Sequence, residues 1–368
     1  MKCPLCMQAG LQQIYKTEAL PVFQNKVHPT RAAAHAAVTG AVKLLACIKC
    51  GYVFNEAFDA SLMRYDAEYQ NEQAHSPAFD RYLDSVVDML ERRGFRQGTV
   101  VEVGCGKGAF LQKLWARGFD ALGFDTAYEG NDPRVFTEYF SERHSHLKID
   151  LLILRHTLEH IEDPLGFLRN LARLTSRSTV IYIEVPSIEW ILRKSAFWDV
   201  FFEHCNYFSL HSLAAMFERA ESGLLFGAQY MYVLAELSAV RTSAMLDGQV
   251  ELEQLRTLQV KVDSYRHFVQ HNPGIVVWGA GAKGCTFVNI VDPGMEHIAA
   301  VVDTNAKKVG GFIAKTGHPI VAPAELAGID GDTILVMNEN YLEEVGQMLA
   351  AMGQSRRQLY ALGQLTLP

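Results

Sequence analysis

The stretch Thr99-Val-Val-Glu-Val-Gly-Cys-Gly-Lys-Gly-Ala-Phe110 constrains this chain more than any other. Val100, Val101 and Val103 read as a short buried strand. Gly104, Gly106 and Gly108 then fall at every second position, and a helix starts at Phe110. Strand, glycine turn and helix are how α/β proteins bring a backbone close to a nucleotide-like ligand, because glycine removes the Cβ atoms that would lie against it. The same residues satisfy the loose dinucleotide pattern, with Ala109 in the last position. The turn alone therefore leaves its ligand open.

Glu102, two residues before the first glycine, narrows the choice. A carboxylate beneath the turn suits a ligand carrying an ammonium and a sulfonium and repels a pyrophosphate. Glu-x-Gly-x-Gly-x-Gly resembles the first motif of class I S-adenosylmethionine (SAM) methyltransferases. The resemblance implies cofactor contacts from Glu102, Gly104, Cys105, Gly106 and Gly108. A second strand over 120–125 ends in Asp125, where nucleotide-binding α/β folds place the carboxylate that takes ribose hydroxyls. Asp125 and its neighbour Thr126 are expected at the cofactor. A strand over 149–154 runs into Arg155-His156-Thr-Leu158-Glu159-His160-Ile-Glu-Asp163-Pro164. This is similar to the H-x-L-E-H-x-x-D-P run of class I methyltransferases, and the likeness puts His156 and Leu158 near the cofactor. His156, Glu159 and His160 also have the residue types of a metal cluster, but the sequence shows no second half of such a site.

With 368 residues, two or three domains are expected. A net charge of −7 and the lack of a basic run argue against nucleic acid as a partner. No apolar run is long enough for a membrane span, and the N-terminus has no signal-peptide core, so the expectation is a soluble cytoplasmic protein. In that setting cysteines are metal ligands or free thiols rather than disulfides. Cys3-Pro-Leu-Cys6 and Cys47-Ile-Lys-Cys50 form two C-x-x-C pairs suited to a closed, structural, tetrahedral Zn²⁺ site. The alternation around Cys47 and Tyr52 suggests a small β ribbon clipped by the metal. The gap between the pairs exceeds the usual ~15–20 residues of a zinc ribbon, and residues 27–42 read as an inserted helix or arm. Four unrelated buried thiols are the plainer alternative.

A tyrosine- and amide-rich stretch over 63–77 is equally a lid over the SAM site or a plain connector. It leads to a helix over 79–90 that starts at Ser76-Pro77. A helix over 165–174 and strands over 180–186 and 231–237 complete the sheet. Between those strands lies Phe197-Trp-Asp-Val-Phe-Phe-Glu203-His204-Cys-Asn-Tyr207-Phe208-Ser209. An aromatic frame lowers the local dielectric and lets a Glu orient a His and tune it. A core histidine packed under aromatics explains the residues equally well. A charged amphipathic helix over 250–268 bridges to a second unit: strand 275–278, glycine turn Gly279-Ala-Gly281-Ala-Lys283-Gly284, and a strand over 298–303 ending in Asp303. Taken alone, this is a respectable dinucleotide fingerprint.

The order of zinc module, SAM domain and Rossmann-like domain resembles the three-domain sugar C-methyltransferases, over essentially the whole chain. The matching pieces are Cys3/Cys6/Cys47/Cys50, Glu102 to Gly108, Glu203-His204-x-x-Tyr207-Phe-Ser209, Gly279 to Gly284, and Asp303-x-Asn305-x-x-Lys308-x-Gly310. The resemblance implies an α/β fold in which a class I SAM domain (73–245) is flanked by a four-cysteine zinc domain (1–72) and a C-terminal Rossmann-like domain with its linker helix (246–368). It implies a small-molecule substrate, a keto-deoxysugar nucleotide, whose nucleotide faces Gly281, Lys283, Asp303 and Lys308. It also places Gln73 at the cofactor and Tyr69 at the substrate. The family tyrosine two residues before Glu-His is Phe201 here, and the tyrosine-rich stretch is spaced differently, which touches the sugar assignment more than methyl transfer.

The expected mechanism has His204 take a proton from the carbon beside a ketone, Glu203 orient His204, and Tyr207 or Tyr69 bind the sugar or enolate oxygen. O-, N- or C-methylation of a non-sugar metabolite, an NAD-dependent oxidoreductase built on the Gly279 turn, and a zinc-clipped nucleotide-binding scaffold are the competing readings.

Overall fold

The structure is a computed structural model, and it describes residues 1–63, 76–243 and 257–365. The N-terminal module is a meander. Strand β1 (Leu11–Pro21) pairs antiparallel with β3 (Thr39–Cys47), which pairs with β4 (Val53–Asn55). The arm between β1 and β3 holds the two-residue strand β2 (Val27–His28) and the short helix α1 (Arg31–His35), capped by Thr30. The sequence suggested a helix or an arm there, and it is both.

The central domain starts with α2 (Pro77–Arg92). The Ser76 hydroxyl accepts the Phe79 N–H, and proline occupies the first turn, where no amide donor is needed. Then follow β5 (Thr99–Val103), α3 (Ala109–Ala116), β6 (Asp120–Phe124), β7 (Val135–Phe136), β8 (Leu151–Arg155), α4 (Pro164–Leu174), β9 (Val180–Pro186), α5 (Ile188–Lys194), β10 (Asn206–Tyr207), α6 (Leu210–Ala214), β11 (Glu221–Leu225) and β12 (Tyr230–Glu236). The seven-stranded sheet runs β11-β12-β9-β8-β5-β6-β7. Strands β7, β6, β5, β8 and β9 are parallel, and β12 runs against both of its neighbours. This is the class I SAM-methyltransferase arrangement. Order reverses between β5 and β8, which opens a crevice at the carboxyl ends of the strands beside the glycine turn.

The C-terminal domain contains α7 (Thr257–His271), β13 (Ile275–Trp278), α8 (Ala282–Val291), β14 (Ile298–Val302), β15 (Phe312–Ile313), β16 (Ile320–Val321), β17 (Thr333–Val336), α9 (Leu342–Ala351) and β18 (Gln358–Ala361). Its five-stranded sheet, β16-β14-β13-β17-β18, is wholly parallel and Rossmann-like.

The three parts interlock through backbone pairings that no local pattern announces. Strand β10 of the central domain joins the N-terminal sheet beside β4, with Asn206 opposite Phe54 and Tyr207 opposite Val53. Strand β2 pairs with β15 of the C-terminal domain. The boundaries expected at 72/73 and 245/246 fall outside the described residues.

Candidate functional site

The three glycines of the first turn serve different ends. All three have positive φ. A Cβ at Gly104 would lie 2.3 Å from Thr157 Oγ1, so that glycine admits the turn after β8. Gly108 caps α3 in the left-handed region. A Cβ at Gly106 would meet nothing within 4 Å, so the space above it is open to a ligand. The Gly106 N–H donates to Asp125 Oδ2 (2.7 Å), and Ala127 N–H donates to Asp125 Oδ1 (2.8 Å). Asp125 thus holds the turn in shape while standing at its mouth, and Thr126 is exposed beside it. Glu102 is 2% exposed, and its Oε2 has no hydrogen-bond partner among the described residues. Burial pushes its carboxyl up to about 7, against the pull of Arg155. A buried, unpaired acid under an open glycine turn fits a cationic ligand such as SAM.

Beside Glu102 runs a line of charges, buried at Arg155, Glu184 and Glu159 and half-buried at His156. Arg155 Nη2 lies 2.9 Å from Glu184 Oε1, and its guanidinium stacks 4.4 Å from the Phe110 ring. Glu184 also faces His156 Nε2 at 3.0 Å, and His156 Nδ1 lies 3.5 Å from Glu159 Oε1. His156 is bent to φ 51 at the end of β8. Against its burial, the two carboxylates raise it to about 9.

The Phe197–Ser209 loop packs against the turn after β8. His204 is 8% exposed, and its ring meets His160 and Phe201 edge-on, with centroids 4.8 Å away in both cases. Burial first, then the neighbouring histidines, push it well below the ordinary imidazole range. Its Nδ1 has no hydrogen-bond partner among the described residues. Glu159, His160 and His204 each bring a nitrogen or carboxylate oxygen within 4.8 Å of the others. His204 is thus the partner for Glu159 and His160 that the sequence did not show. Three parts of the chain hold this loop. Gln24 N–H of the N-terminal module donates to Glu203 Oε1 (3.1 Å), His160 Nδ1 lies 2.9 Å from the Glu203 carbonyl, and Lys283 Nζ of the C-terminal domain lies 2.5 Å from Asp199 Oδ2.

Cys3, Cys6, Cys47 and Cys50 converge in one buried cluster. The Cys3–Cys50 and Cys6–Cys47 sulfur separations are 3.7 and 3.6 Å. These are far beyond a disulfide bond and close to the ~3.8 Å edge of a tetrahedron with metal–sulfur bonds of about 2.3 Å. The donor set and its spacing fit zinc.

At the second glycine turn, Asp303 accepts Ala280 N–H (2.8 Å) and Asn305 N–H (2.8 Å), while Lys308 Nζ donates to Ala280 O (3.2 Å). Gly284 is obligatory, since a Cβ there would lie 1.9 Å from Gly279 O. Gly281, at the start of α8, faces Asn25 of the N-terminal module, whose Oδ1 would lie 3.6 Å from a Cβ at that position.

Residues 71–221 match the family model for a methyltransferase domain, and residues 252–361 match that for the C-methyltransferase C-terminal domain. The protein is a SAM-dependent methyltransferase. It is 26% identical over 306 residues to C-methyltransferase NovU of Streptomyces niveus, a match that covers 72% of each chain. Similar solved structures include a SAM-dependent methyltransferase from Archaeoglobus fulgidus (17% identity, TM-score 0.34, 43% of this chain and 96% of that one). Another is magnesium protoporphyrin IX methyltransferase from Synechocystis with bound SAH (21% identity, TM-score 0.33, 45% and 84%).

The geometry of this methyltransferase corrects several residue expectations. Leu158 is fully buried in the core shared with the cysteine cluster, so its side chain does not face the cofactor. The Cys105 side chain turns under the sheet, where its sulfur would sit 2.8 Å from a Cβ at Gly123. Glu203 turns to Gln24 N–H instead of orienting His204. The Tyr207 hydroxyl is engaged by Phe201 N–H and Phe201 O, both at 2.9 Å, so it braces the loop and is not offered to a substrate oxygen. Lys283 is neutralised by Asp199 and lies over the Trp190 ring, a lock between domains. Tyr69 and Gln73 lie outside the described residues. Sequence reading missed Gln24, Asp199 and Asn206. None has a motif, and only Asp199 and Asn206, inside the Phe197–Ser209 run, carried any signal.

Proposed function

We propose that this methyltransferase acts on carbon, methylating a keto-deoxysugar nucleotide through an enolate. The observation that carries the reading is His204: a histidine whose burial favours the neutral form, in an aromatic loop gripped by all three parts of the chain and packed against His160 on the turn after β8. A neutral imidazole among aromatic rings can accept a proton from the carbon next to a ketone. SAM, when bound, supplies an activated methyl group. The chain's part is to bind it over Gly106 with Glu102 and Asp125 beneath, and to place the substrate carbon in line. The match to the C-methyltransferase C-terminal family and the carbon-directed activity of the relative NovU support carbon as the acceptor. Lys308, Asp303 and Gly281 surround the second glycine turn and are proposed to receive the substrate's nucleotide. Zinc in the four-cysteine cluster is proposed as structural, because four thiolates leave no open position.

The test is solvent deuterium exchange without SAM, using a nucleoside-diphosphate-linked 4-keto-2,6-dideoxyhexose. Wild type should exchange the proton beside the ketone and, with SAM, add a methyl at that carbon. His204→Asn should lose both by at least 100-fold, the lower range for a general base. Exchange and methylation surviving in His204→Asn would overturn the assignment.

A further inference from the structure

If His204 is the base, its conjugate acid needs an anion. The positive charge it gains is buried and flanked by the His160 ring, so without a counter-charge proton abstraction is uphill. Glu203 is adjacent in sequence, but its Oε1 accepts Gln24 N–H of the N-terminal module. The carboxylate that the fold does bring there is Glu159. It is 1% exposed, it lies on the short helical turn after β8, and neither of its oxygens accepts a hydrogen bond among the described residues. One of its oxygens lies within 4.8 Å of a ring nitrogen of His204. One bridging water or a small side-chain rotation spans that separation.

We infer that Glu159 is the anionic partner of His204, accepting its Nδ1–H directly or through one water, and so leaving Nε2 to take the substrate proton. The inference rests on the carbon-methylation reading for its purpose, but not for its geometry. In the step, the substrate C–H bond breaks, its electron pair passes into the enolate, and the proton forms the second N–H of His204. The Glu159 carboxylate takes no proton in this step and stabilises the imidazolium, as a carboxylate does behind a catalytic histidine. It is a positioning residue, since it acts through His204.

The surroundings explain how such an acid stays unspent. Its nearest cation, His156, is shared with Glu184, which also takes Arg155. The carbonyl of Glu159, not its carboxylate, accepts the Cys205 thiol (3.4 Å). Facing His204 from the other elements are His160 and His156 after β8, Phe201 and Tyr207 on its own loop, and Glu159. The same three side chains have the donors of a metal site, but His156 beside Glu159 opposes a second cation.

The decisive measurement is the tautomer of His204, read by ¹⁵N–¹H correlation on histidine-labelled full-length protein and assigned by the signal missing in His204→Asn. Wild type should show Nδ1–H. Glu159→Gln should lose that tautomer, and Glu203→Gln should keep it. With the 4-keto-2,6-dideoxyhexose nucleotide, Glu159→Gln should lower exchange and kcat about 100-fold, move the acidic limb of the kcat–pH profile downward, and leave SAM affinity within threefold. Glu159→Asp should recover part of the rate. A His204 tautomer unchanged in Glu159→Gln would overturn the inference. So would a second tightly bound divalent metal per chain that is lost in Glu159→Gln. Loss of the tautomer in a protein that exchanges nothing would leave Glu159 as the partner and sink the carbon-methylation reading instead.

Discussion

At the scale of the residue, Glu102 shows how function strains a fold. Its carboxyl is raised from 4.5 to about 7, mainly by burial. The protein without cofactor is therefore stabilised by neutral Glu102. That contribution is complete below pH 4.5 and is lost as pH rises through 7, a difference of about 3 kcal/mol. A cation above the turn reverses the preference. SAM should consequently bind about tenfold more tightly at pH 7 than at pH 5.5, as Glu102 ionises. Glu102→Gln should flatten this dependence, weaken binding at pH 7, and raise the melting temperature at pH 8 more than at pH 5. Calorimetric titration with SAM and thermal melts at those pH values check all three, and a pH dependence that survives in Glu102→Gln would assign it to another group. The sequence showed Glu102, the four cysteines and His204 plainly, because each sits in a motif with its own spacing. It could not show where Glu203 points. Two neighbours in the chain send side chains in different directions, and the N–H that captures Glu203 comes from Gln24.

At the scale of the element, strands and helices were mostly legible, since hydrophobic period and caps are local. The two-residue strands β2 and β10 were not, because each exists only through a partner in another domain. The glycine turns show a similar division. Both read alike as glycine patterns, yet their glycines answer to different neighbours. Gly106→Ala should fold, since its Cβ enters open space and a left-handed alanine costs about 1–2 kcal/mol. It should weaken SAM binding at least tenfold, because that space is where SAM is proposed to lie. Gly284→Ala should instead unfold the C-terminal domain or fail to express, since its Cβ would strike the backbone carbonyl of Gly279. Circular dichroism melts and SAM titration of both variants separate the cases. A well-folded Gly284→Ala protein would contradict the tight helix–strand approach described here.

At the scale of the molecule, the cysteine cluster and His204 are mechanically joined. Tyr52 follows the second C-x-x-C pair and packs on Phe208 with ring centroids 5.5 Å apart. Its hydroxyl bonds Asn206 Oδ1, whose amide donates to the carbonyls of Leu158 and Ile161 on either side of Glu159 and His160. Strand β4 extends this grip, with Asn55 N–H donating to Cys205 O (3.0 Å). The cluster thus orders the loop that carries His204 and the turn that carries Glu159. The SAM turn depends on a different set of contacts, from β5, β6 and α3, packed under α2. Removing the zinc proposed for this cluster should therefore split the activity. Zinc withdrawn by chelator under reducing conditions, or Cys50→Ser, should abolish proton exchange and methyl transfer while SAM still binds within about tenfold of wild type. The melting temperature should fall markedly, as structural zinc contributes directly to folding. Restoring zinc to the chelated protein should restore exchange. A zinc-free protein with full exchange would show that the loop holds itself, and that the N-terminal sheet merely rests against it.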